Sequence, residues 1–200
     1  DGVSRTARSV FPFLTSSAIK SVNSHFDDSV TDATYMIQYL LNINEFSDRD
    51  IIVDGRLYNI SHTIFMRSMV TLKGVEDGAT RSGWIDNLDV VGSYCKSSLI
   101  MRKSGIPMFA SDKYYDSGSS ALQLFSMKNL NARGTFGNKE VNGDAGCFID
   151  SKNLIVTKCL FANMNIAGFA TAFKMQAECI WTNFVNLHIF NMRDNGIDFL

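Results

Sequence analysis

The stretch that decides the fold lies near the end of the chain, where NMNIAG at residues 163–168 is followed by NMRDNG at residues 191–196. The two segments share asparagine, methionine and glycine at the same offsets. Glycine also recurs at Gly118, Gly146, Gly168 and Gly196, with equal first and last spacings and a shorter middle one. Short apolar runs follow Gly146 and Gly168. Several short strands in a unit that recurs in this way are typical of a solenoid.

Stacking explains why such a unit would repeat. One turn of a solenoid cannot bury its apolar face alone, but the next turn covers it, and the backbones of the two pair about 4.8 Å apart. We expect Asn163 and Asn191 to occupy equivalent corners, because asparagine tolerates a left-handed backbone and can hydrogen-bond its neighbour. The alternative is an ordinary β-sandwich in which the glycine spacing is coincidental.

One amphipathic helix is predicted over residues 32–44. Its apolar residues recur three and four positions apart and form one stripe, at Ala33, Met36, Ile37, Leu40 and Leu41. Thr31 or Asp32 can cap the first turn, because a side-chain oxygen there accepts a free amide. From residue 50 the pattern changes to short strands, at residues 50–53, 57–60, 64–66 and 70–72, and we expect long loops over residues 75–118.

The composition excludes several classes of partner. With 20 acidic and 19 basic residues the net charge is −1, so nothing favours nucleic acid or an anionic membrane surface. No apolar run approaches the ~18 residues of a membrane-spanning helix. The four cysteines match neither a redox pair nor a zinc knuckle, and we expect buried, reduced thiols as in a reducing cytoplasm.

Three motifs near the start carry a family resemblance. TDAT at residues 31–34 opens the helix, a strand with a glycine–tyrosine turn spans residues 51–60, and VTLKG follows at residues 70–74. This order resembles the opening of the pectate-lyase-like (pectin-lyase-like) parallel β-helix of bacteriophage tailspikes and related tail appendages. The chain departs from the family form in lacking Gly-Asp-Gly before the helix, in having Val53-Asp54 in place of the proline before the glycine–tyrosine turn, and in having Ala33 where aspartate is frequent.

The resemblance implies an all-β fold, a right-handed single-stranded parallel β-helix with a short N-terminal capping α-helix. Residues 1–30 would be an extended lead-in, and residues 31–200 the cap and first coils, continuing beyond residue 200. Family members are commonly homotrimers that are assembled in the host cytoplasm and carried on the virion with other phage tail proteins. They bind host surface polysaccharide, either capsule or O-antigen, and many degrade it.

We therefore predict a tailspike fragment that binds host polysaccharide. Whether the full-length protein is also a depolymerase, by hydrolysis or by a lyase reaction, is left open, since its active residues could lie beyond residue 200. Two alternatives stay open as well. One is a non-catalytic structural component of the virion, and the other is a bacterial β-helix polysaccharide lyase.

Carboxylates on an outward face are the catalytic candidates. Glycoside hydrolysis uses two carboxyl groups, one as acid and one as base or nucleophile. Strand alternation turns Asp150 and Asp198 outward. Two coils separate them, about 10 Å at the stacking distance, which is at or beyond the ~6.5–9.5 Å of an inverting pair. Glu178 and Asp194 are further outward candidates.

Phe148 and Arg193 are the candidates for binding glycan. The phase that turns Cys147 and Ile149 inward turns Phe148 outward, where its ring face could stack on a sugar. The alternative is that these residues are ordinary solvated side chains, or that Phe148 is buried between the chains of a trimer. No cofactor is predicted, and a metal site is not expected from three scattered histidines.

Overall fold

The computed structural model describes residues 5–6, 32–53, 57–74, 97–111, 121–136, 144–151, 155–176 and 178–199. Within these ranges the chain forms one helix, α1 (Thr34–Asn44), and seventeen short strands. The strands are β1 (Arg5–Thr6), β2 (Arg49–Val53), β3 (Leu57–Ile60), β4 (Ile64–Phe65), β5 (Val70–Gly74), β6 (Ser98–Met101), β7 (Phe109–Ala110), β8 (Leu122–Gln123), β9 (Ser126–Lys128), β10 (Asn131–Arg133), β11 (Ile149–Asp150), β12 (Val156–Thr157), β13 (Leu160–Ala167), β14 (Phe173–Met175), β15 (Cys179–Ile180), β16 (Asn183–Phe190) and β17 (Ile197–Phe199).

The described strands form three sheets in which every pair is parallel. Sheet A runs β1-β2-β5-β9-β13-β10-β6-β3, with β16 added beside β13. Sheet B runs β17-β14-β11-β7-β4, and sheet C runs β15-β12-β8. Successive strands visit the sheets in turn, since β12, β13 and β14 belong to C, A and B, as do β15, β16 and β17. The all-β parallel architecture is confirmed, and a β-sandwich, which is built from antiparallel sheets, does not fit the described residues.

The number of residues from one layer to the next differs from the spacing of the glycines in the sequence. In the last layers Leu160 pairs with Asn183, and Phe173 pairs with Ile197. Both steps along the chain are shorter than the step from Gly168 to Gly196. An earlier layer is longer than any glycine spacing, because Asn131 pairs with Asn165. Both layers pair in parallel although their lengths along the chain differ, so the glycine spacing does not give the length of a layer.

Asparagines do form a hydrogen-bonded column, although with partners other than those expected. Asn163 donates its side-chain amide to Asn129 Oδ1 at 3.2 Å and accepts from Asn186 Nδ2 at 3.0 Å. All three have φ between 50° and 57°, the left-handed region that asparagine tolerates. The predicted equivalence of Asn163 with Asn191 is wrong, because the layer above places Asn191 beside Gly168, whose N–H donates to its carbonyl oxygen at 3.1 Å.

Aromatic rings stack through the interior between the sheets. Phe173 contacts Phe148, Phe161 and Phe184 with ring centroids 5.8, 5.2 and 4.9 Å apart. The column continues to Phe109, whose ring centroid lies 5.6 Å from that of Phe148. Rings at such distances in edge-to-face geometry attract each other beyond the area they bury. The stacked layers therefore share one aromatic core.

Helix α1 packs its predicted stripe against this core. Ala33, Met36, Ile37, Leu40 and Leu41 are all buried, so the predicted helix and its buried face are confirmed. Asp32 Oδ1 accepts the N–H of Thr34 at 2.9 Å, although Ala33 rather than Asp32 occupies the capping position. Burial opposes ionisation of Asp32, but hydrogen bonds from Ser61 and Thr34 outweigh it and lower the pKa of the carboxyl group.

The predicted strands from residue 50 onward are confirmed as β2 to β5. Strands β6 and β7 lie within residues 75–118, where loops were expected. The stretch SLIM at residues 98–101 is short and buried on all four residues, so it lacks the alternation that marks a strand with one solvent face.

Some predictions fall on parts of the chain that lie outside the described residues. The extended lead-in over residues 1–30 is one, apart from β1, which pairs with β2. The loops expected over residues 75–96 and 112–118 are another. Of the cysteines that are described, Cys159 is buried as expected, whereas Cys147 and Cys179 are only partly buried.

Candidate functional site

A row of charged side chains crosses three neighbouring strands of sheet B. Asp150 on β11 pairs in register with Lys174 on β14, which pairs with Asp198 on β17. The residues beside them in the same strands, Ile149 and Phe173, are buried. Because successive side chains of a strand point to opposite faces, the acid–base–acid row lies on the outer face of sheet B.

This row forms part of the lining of an open cleft of about 350 Å³. The other polar lining residues include Thr171, Arg193, Asp194 and Asn195. The lining also contains four small residues, Gly105, Ala145, Gly146 and Ala170. A volume of this size falls at the lower end of the range for small-molecule sites.

Gly146 lets two chain segments approach closely at the wall of the cleft. A Cβ atom at this position would overlap the carbonyl oxygen of Ile106. Only glycine therefore fits here without a shift of the backbone, and the absence of its side chain brings the neighbouring residues of the wall, Gly105 and Pro107, up to the cleft.

Arg193 is bonded to two carboxylates at the edge of the cleft. It binds Asp194 through Nε at 3.1 Å and Nη2 at 2.9 Å, and its Nη1 lies 3.2 Å from Asp144 Oδ1. The hydrogen bond from Arg193 lowers the pKa of Asp194, and the bond to Asp194 raises the pKa of Arg193. The lowered pKa favours the ionised form of Asp194, which accepts these hydrogen bonds from Arg193.

The structure brings together four of the six predicted site residues. Asp150, Asp194, Asp198 and Arg193 all line the cleft. Glu178 does not line it: Glu178 is exposed and stands directly before β15 of sheet C. Its part in a shared site with the other three carboxylates is not supported by this placement.

The predicted outward position of Phe148 is wrong. Its side chain is 0% exposed and contacts the rings of Phe109 and Phe169 at centroid distances of 5.6 and 5.5 Å. The chain bends at Phe148, and β11 begins only at Ile149, so strict alternation does not yet apply. Because the alternation of inward and outward side chains does not extend to residue 147 either, Cys147, which was expected to point inward, is partly exposed and lines the cleft.

Lys174 is the functional candidate that the sequence reasoning missed. It lies between buried Phe173 and Met175, so alternation alone could have turned it outward. Its importance depends on the register, which places it between two aspartates from neighbouring layers, and no local pattern in the sequence encodes that register.

A second exposed surface is found on sheet C. Trp181 is 73% exposed, and the ammonium group of Lys158 lies 5.4 Å from the centre of its ring. Ile155, Leu124 and Ile180 are also exposed there. This face has an aromatic ring that could stack on a ligand. Its nearest carboxylate in the sequence is Glu178. The row of charged groups formed by Asp150, Lys174 and Asp198 lies on sheet B instead.

The described residues show no metal site and no membrane-spanning helix, and the chain matches no protein-family model. Among the described residues no group of three or more His, Cys, Asp or Glu is placed to hold a metal ion. No described helix is long and apolar enough to cross a membrane. Comparison of the chain with protein-family models, with curated proteins and with solved structures gave no match.

Proposed function

We propose that the chain is a right-handed single-stranded parallel β-helix from a bacteriophage tailspike or tail appendage, and that its sheet B cleft binds host cell-surface polysaccharide. The fold part of the proposal is supported by parallel strands that visit three sheets in turn. The family part is supported by the motifs at residues 31–34, 51–60 and 70–74. We further propose a homotrimer on the virion, in contact with other tail proteins.

The row Asp150–Lys174–Asp198 is the observation that carries the binding function. Sugars present many hydroxyl groups, which both donate and accept hydrogen bonds. Carboxylates accept from hydroxyls and an ammonium group donates to them, and such charge-assisted bonds are about twice as strong as neutral ones. Carboxylate and ammonium groups alternate across neighbouring strands, so the row suits a ligand with hydroxyls spaced along an extended chain.

The cleft favours binding over hydrolysis. Hydrolysis needs one carboxyl group that is protonated and another that is ionised. Asp194 is kept ionised by Arg193, and Lys174 stands between Asp150 and Asp198. The lowered pKa makes Asp194 unsuited to be the acid. Asp150 and Asp198 lie two layers apart, about 10 Å at the stacking distance, which is at or beyond the ~6.5–9.5 Å of an inverting pair. Degradation by the full-length protein would then need residues outside this cleft.

Binding can be measured by isothermal titration of the whole chain with purified capsule and O-antigen from a panel of bacteria. We expect at least one polysaccharide to bind, and Asp198→Asn to weaken its binding about tenfold, since a hydrogen bond to a charged group contributes about 1.5–3 kcal/mol. Glu178→Gln is the matched control, because Glu178 lies outside the cleft, and it should bind as the wild type does. Equal losses in the two variants would contradict the assignment of the site.

The structural-component alternative has its own outcome in the same experiment. If no polysaccharide of the panel binds, the chain is better described as a shaft or adaptor. A reducing-end assay on the bound polysaccharide tests for cleavage, and we expect no new reducing ends from the chain alone.

A further inference from the structure

We infer that the sheet B cleft binds uncharged sugars more tightly than glycans that carry carboxylate, phosphate or sulfate groups. This inference rests on the proposed function, because it names the substrate class of the proposed polysaccharide site. It follows from the charges at the cleft and from the partners that those charges already have.

The described charged groups at the cleft have an excess of negative charge. Asp150, Asp194 and Asp198 face two cations, Lys174 and Arg193, in the lining. A fourth carboxylate, that of Asp144, is ion-paired with Arg193 at 3.2 Å. Four carboxylates against two cations leave two negative charges in excess.

Every nitrogen of the Arg193 guanidinium group already donates to a carboxylate. Nε and Nη2 donate to the two carboxylate oxygens of Asp194, and Nη1 donates to Asp144. An anionic sugar would have to compete with these two carboxylates for the same positive charge. These bonds use three of the five N–H groups of the guanidinium, and the two neighbouring carboxylates offset its positive charge toward a ligand anion.

Lys174 is also surrounded by carboxylates. It is flanked in register by Asp150 on one strand and Asp198 on the other. Its charge also acts on Asp194, where it contributes to the low pKa of that carboxyl group behind the effect of Arg193. A ligand carboxylate that approached Lys174 would approach Asp150 and Asp198 as well.

The thiol of Cys147 also lines the cleft, close enough to Asp150 to be affected by its charge. Burial is the main cause that raises the pKa of its thiol, and the charge of Asp150 is the next. Lys174 acts in the opposite direction but does not reverse the shift. Placing a new negative charge at this wall is thus disfavoured both by burial and by the neighbouring carboxylate.

The size of the expected discrimination follows from Coulomb's law. One excess charge about 7 Å from a ligand charge in water changes affinity about threefold, so two excess charges change it roughly tenfold. Salt screens such interactions, with a Debye length of about 10 Å at 0.1 M and about 3 Å at 1 M. The discrimination should therefore shrink as salt is added.

The test uses matched polysaccharide pairs that differ only at one carbon of the sugar. Each neutral polysaccharide of the bacterial panel is compared with its derivative oxidised to the uronate at the primary alcohol, and each uronate polymer with its carboxyl-reduced form. Titration of the whole chain at about 50 mM NaCl should show the neutral member binding about tenfold more tightly. The difference should fall at about 500 mM NaCl.

Variants separate charge selection from general loss of binding. Asp198→Asn removes one of the two excess charges, so the difference within a pair should narrow to about threefold. Glu178→Gln should leave the difference unchanged. Equal or tighter binding of the anionic member would overturn the inference and leave the polysaccharide site standing. Failure of both members of every pair to bind would overturn the proposed function and the inference together.

Discussion

Replacing Asn163 by alanine is expected to destabilise the fold far more than the same change at Asn191. Both residues have a left-handed backbone, with φ of 54° and 52°, so alanine meets a similar backbone cost at each position. Only Asn163 belongs to the side-chain column, in which it donates to Asn129 and accepts from Asn186. The pair of variants thus isolates the column from the backbone effect.

The magnitude follows from the contacts that each variant loses. An alanine in the left-handed region costs about 1–2 kcal/mol, and each lost hydrogen bond costs about 1 kcal/mol. Asn163→Ala should therefore lower the free energy of unfolding by about 3 kcal/mol, and Asn191→Ala by about 1 kcal/mol.

Urea denaturation of the whole chain, followed by circular dichroism, measures both changes. An unchanged m-value would show that the two variants unfold from a native state of the same compactness. In thermal unfolding, the difference of about 2 kcal/mol corresponds to a gap of roughly 4–8 °C between the two midpoints. Equal destabilisation of the two variants would refute the register that separates Asn163 from Asn191.

Three further predictions concern the cleft wall, a buried thiol and an ion pair. Gly146→Ala should lower the free energy of unfolding by about 2 kcal/mol or more in urea titrations, because its Cβ would overlap the Ile106 carbonyl oxygen; a neutral effect would contradict this close approach. Burial raises the pKa of Cys159 to about 12, so at a mildly alkaline pH a thiol reagent should leave Cys159 unmodified until urea unfolds the chain, as judged by peptide mass mapping; labelling in the native state would argue against its burial. The Arg193 hydrogen bond holds the pKa of Asp194 below its usual value, so this pair stabilises the fold above the unfolded pKa of about 3.9 and loses that contribution as pH falls through the folded value. Arg193→Gln should raise the Asp194 pKa in a carboxyl NMR titration, and an unchanged midpoint would show that the pair is not formed.

Local periodicity was sufficient to predict the elements of the first layers. The helical stripe from Ala33 to Leu41 and the strands from residue 50 to residue 74 appear where the pattern places them. The helix and strands β2, β4 and β5 alternate buried with less buried positions, and such a segment has a readable period. Strand β3 was predicted without this signal, since Tyr58, Asn59 and Ile60 are all buried. Strand β6 is buried on all four residues as well, and it was missed because it lies within the glycine-containing stretch 75–118 that was expected to form loops.

The register between layers could not be read from the glycines. The short layer that joins Leu160 to Asn183 and the longer one that joins Asn131 to Asn165 both pair in parallel, although the two steps along the chain differ in length. A repeat of unequal length has no single period in the sequence. The match between residues 163–168 and 191–196 is therefore a likeness of sequence only, since residues 163–167 belong to β13 and residues 191–196 follow the end of β16.

Only part of the candidate site could be predicted, because the site depends on the register between layers. Strand alternation turned Asp150 and Asp198 outward, and both line the cleft. Phe148 was misplaced because a bend precedes its strand, and Lys174 was missed because its meaning depends on two neighbouring layers. A cleft assembled across layers becomes visible only when the register is known.

A crystal structure of the whole chain with an oligosaccharide from a bound polysaccharide tests the central claim most directly. We expect sugar density on sheet B, with hydroxyl groups within hydrogen-bond distance of Asp150, Lys174 and Asp198. We also expect the three sheets to wind as a right-handed parallel β-helix. Sugar bound instead on sheet C beside Trp181, or sheets wound with the opposite hand, would contradict the proposed site or the proposed fold.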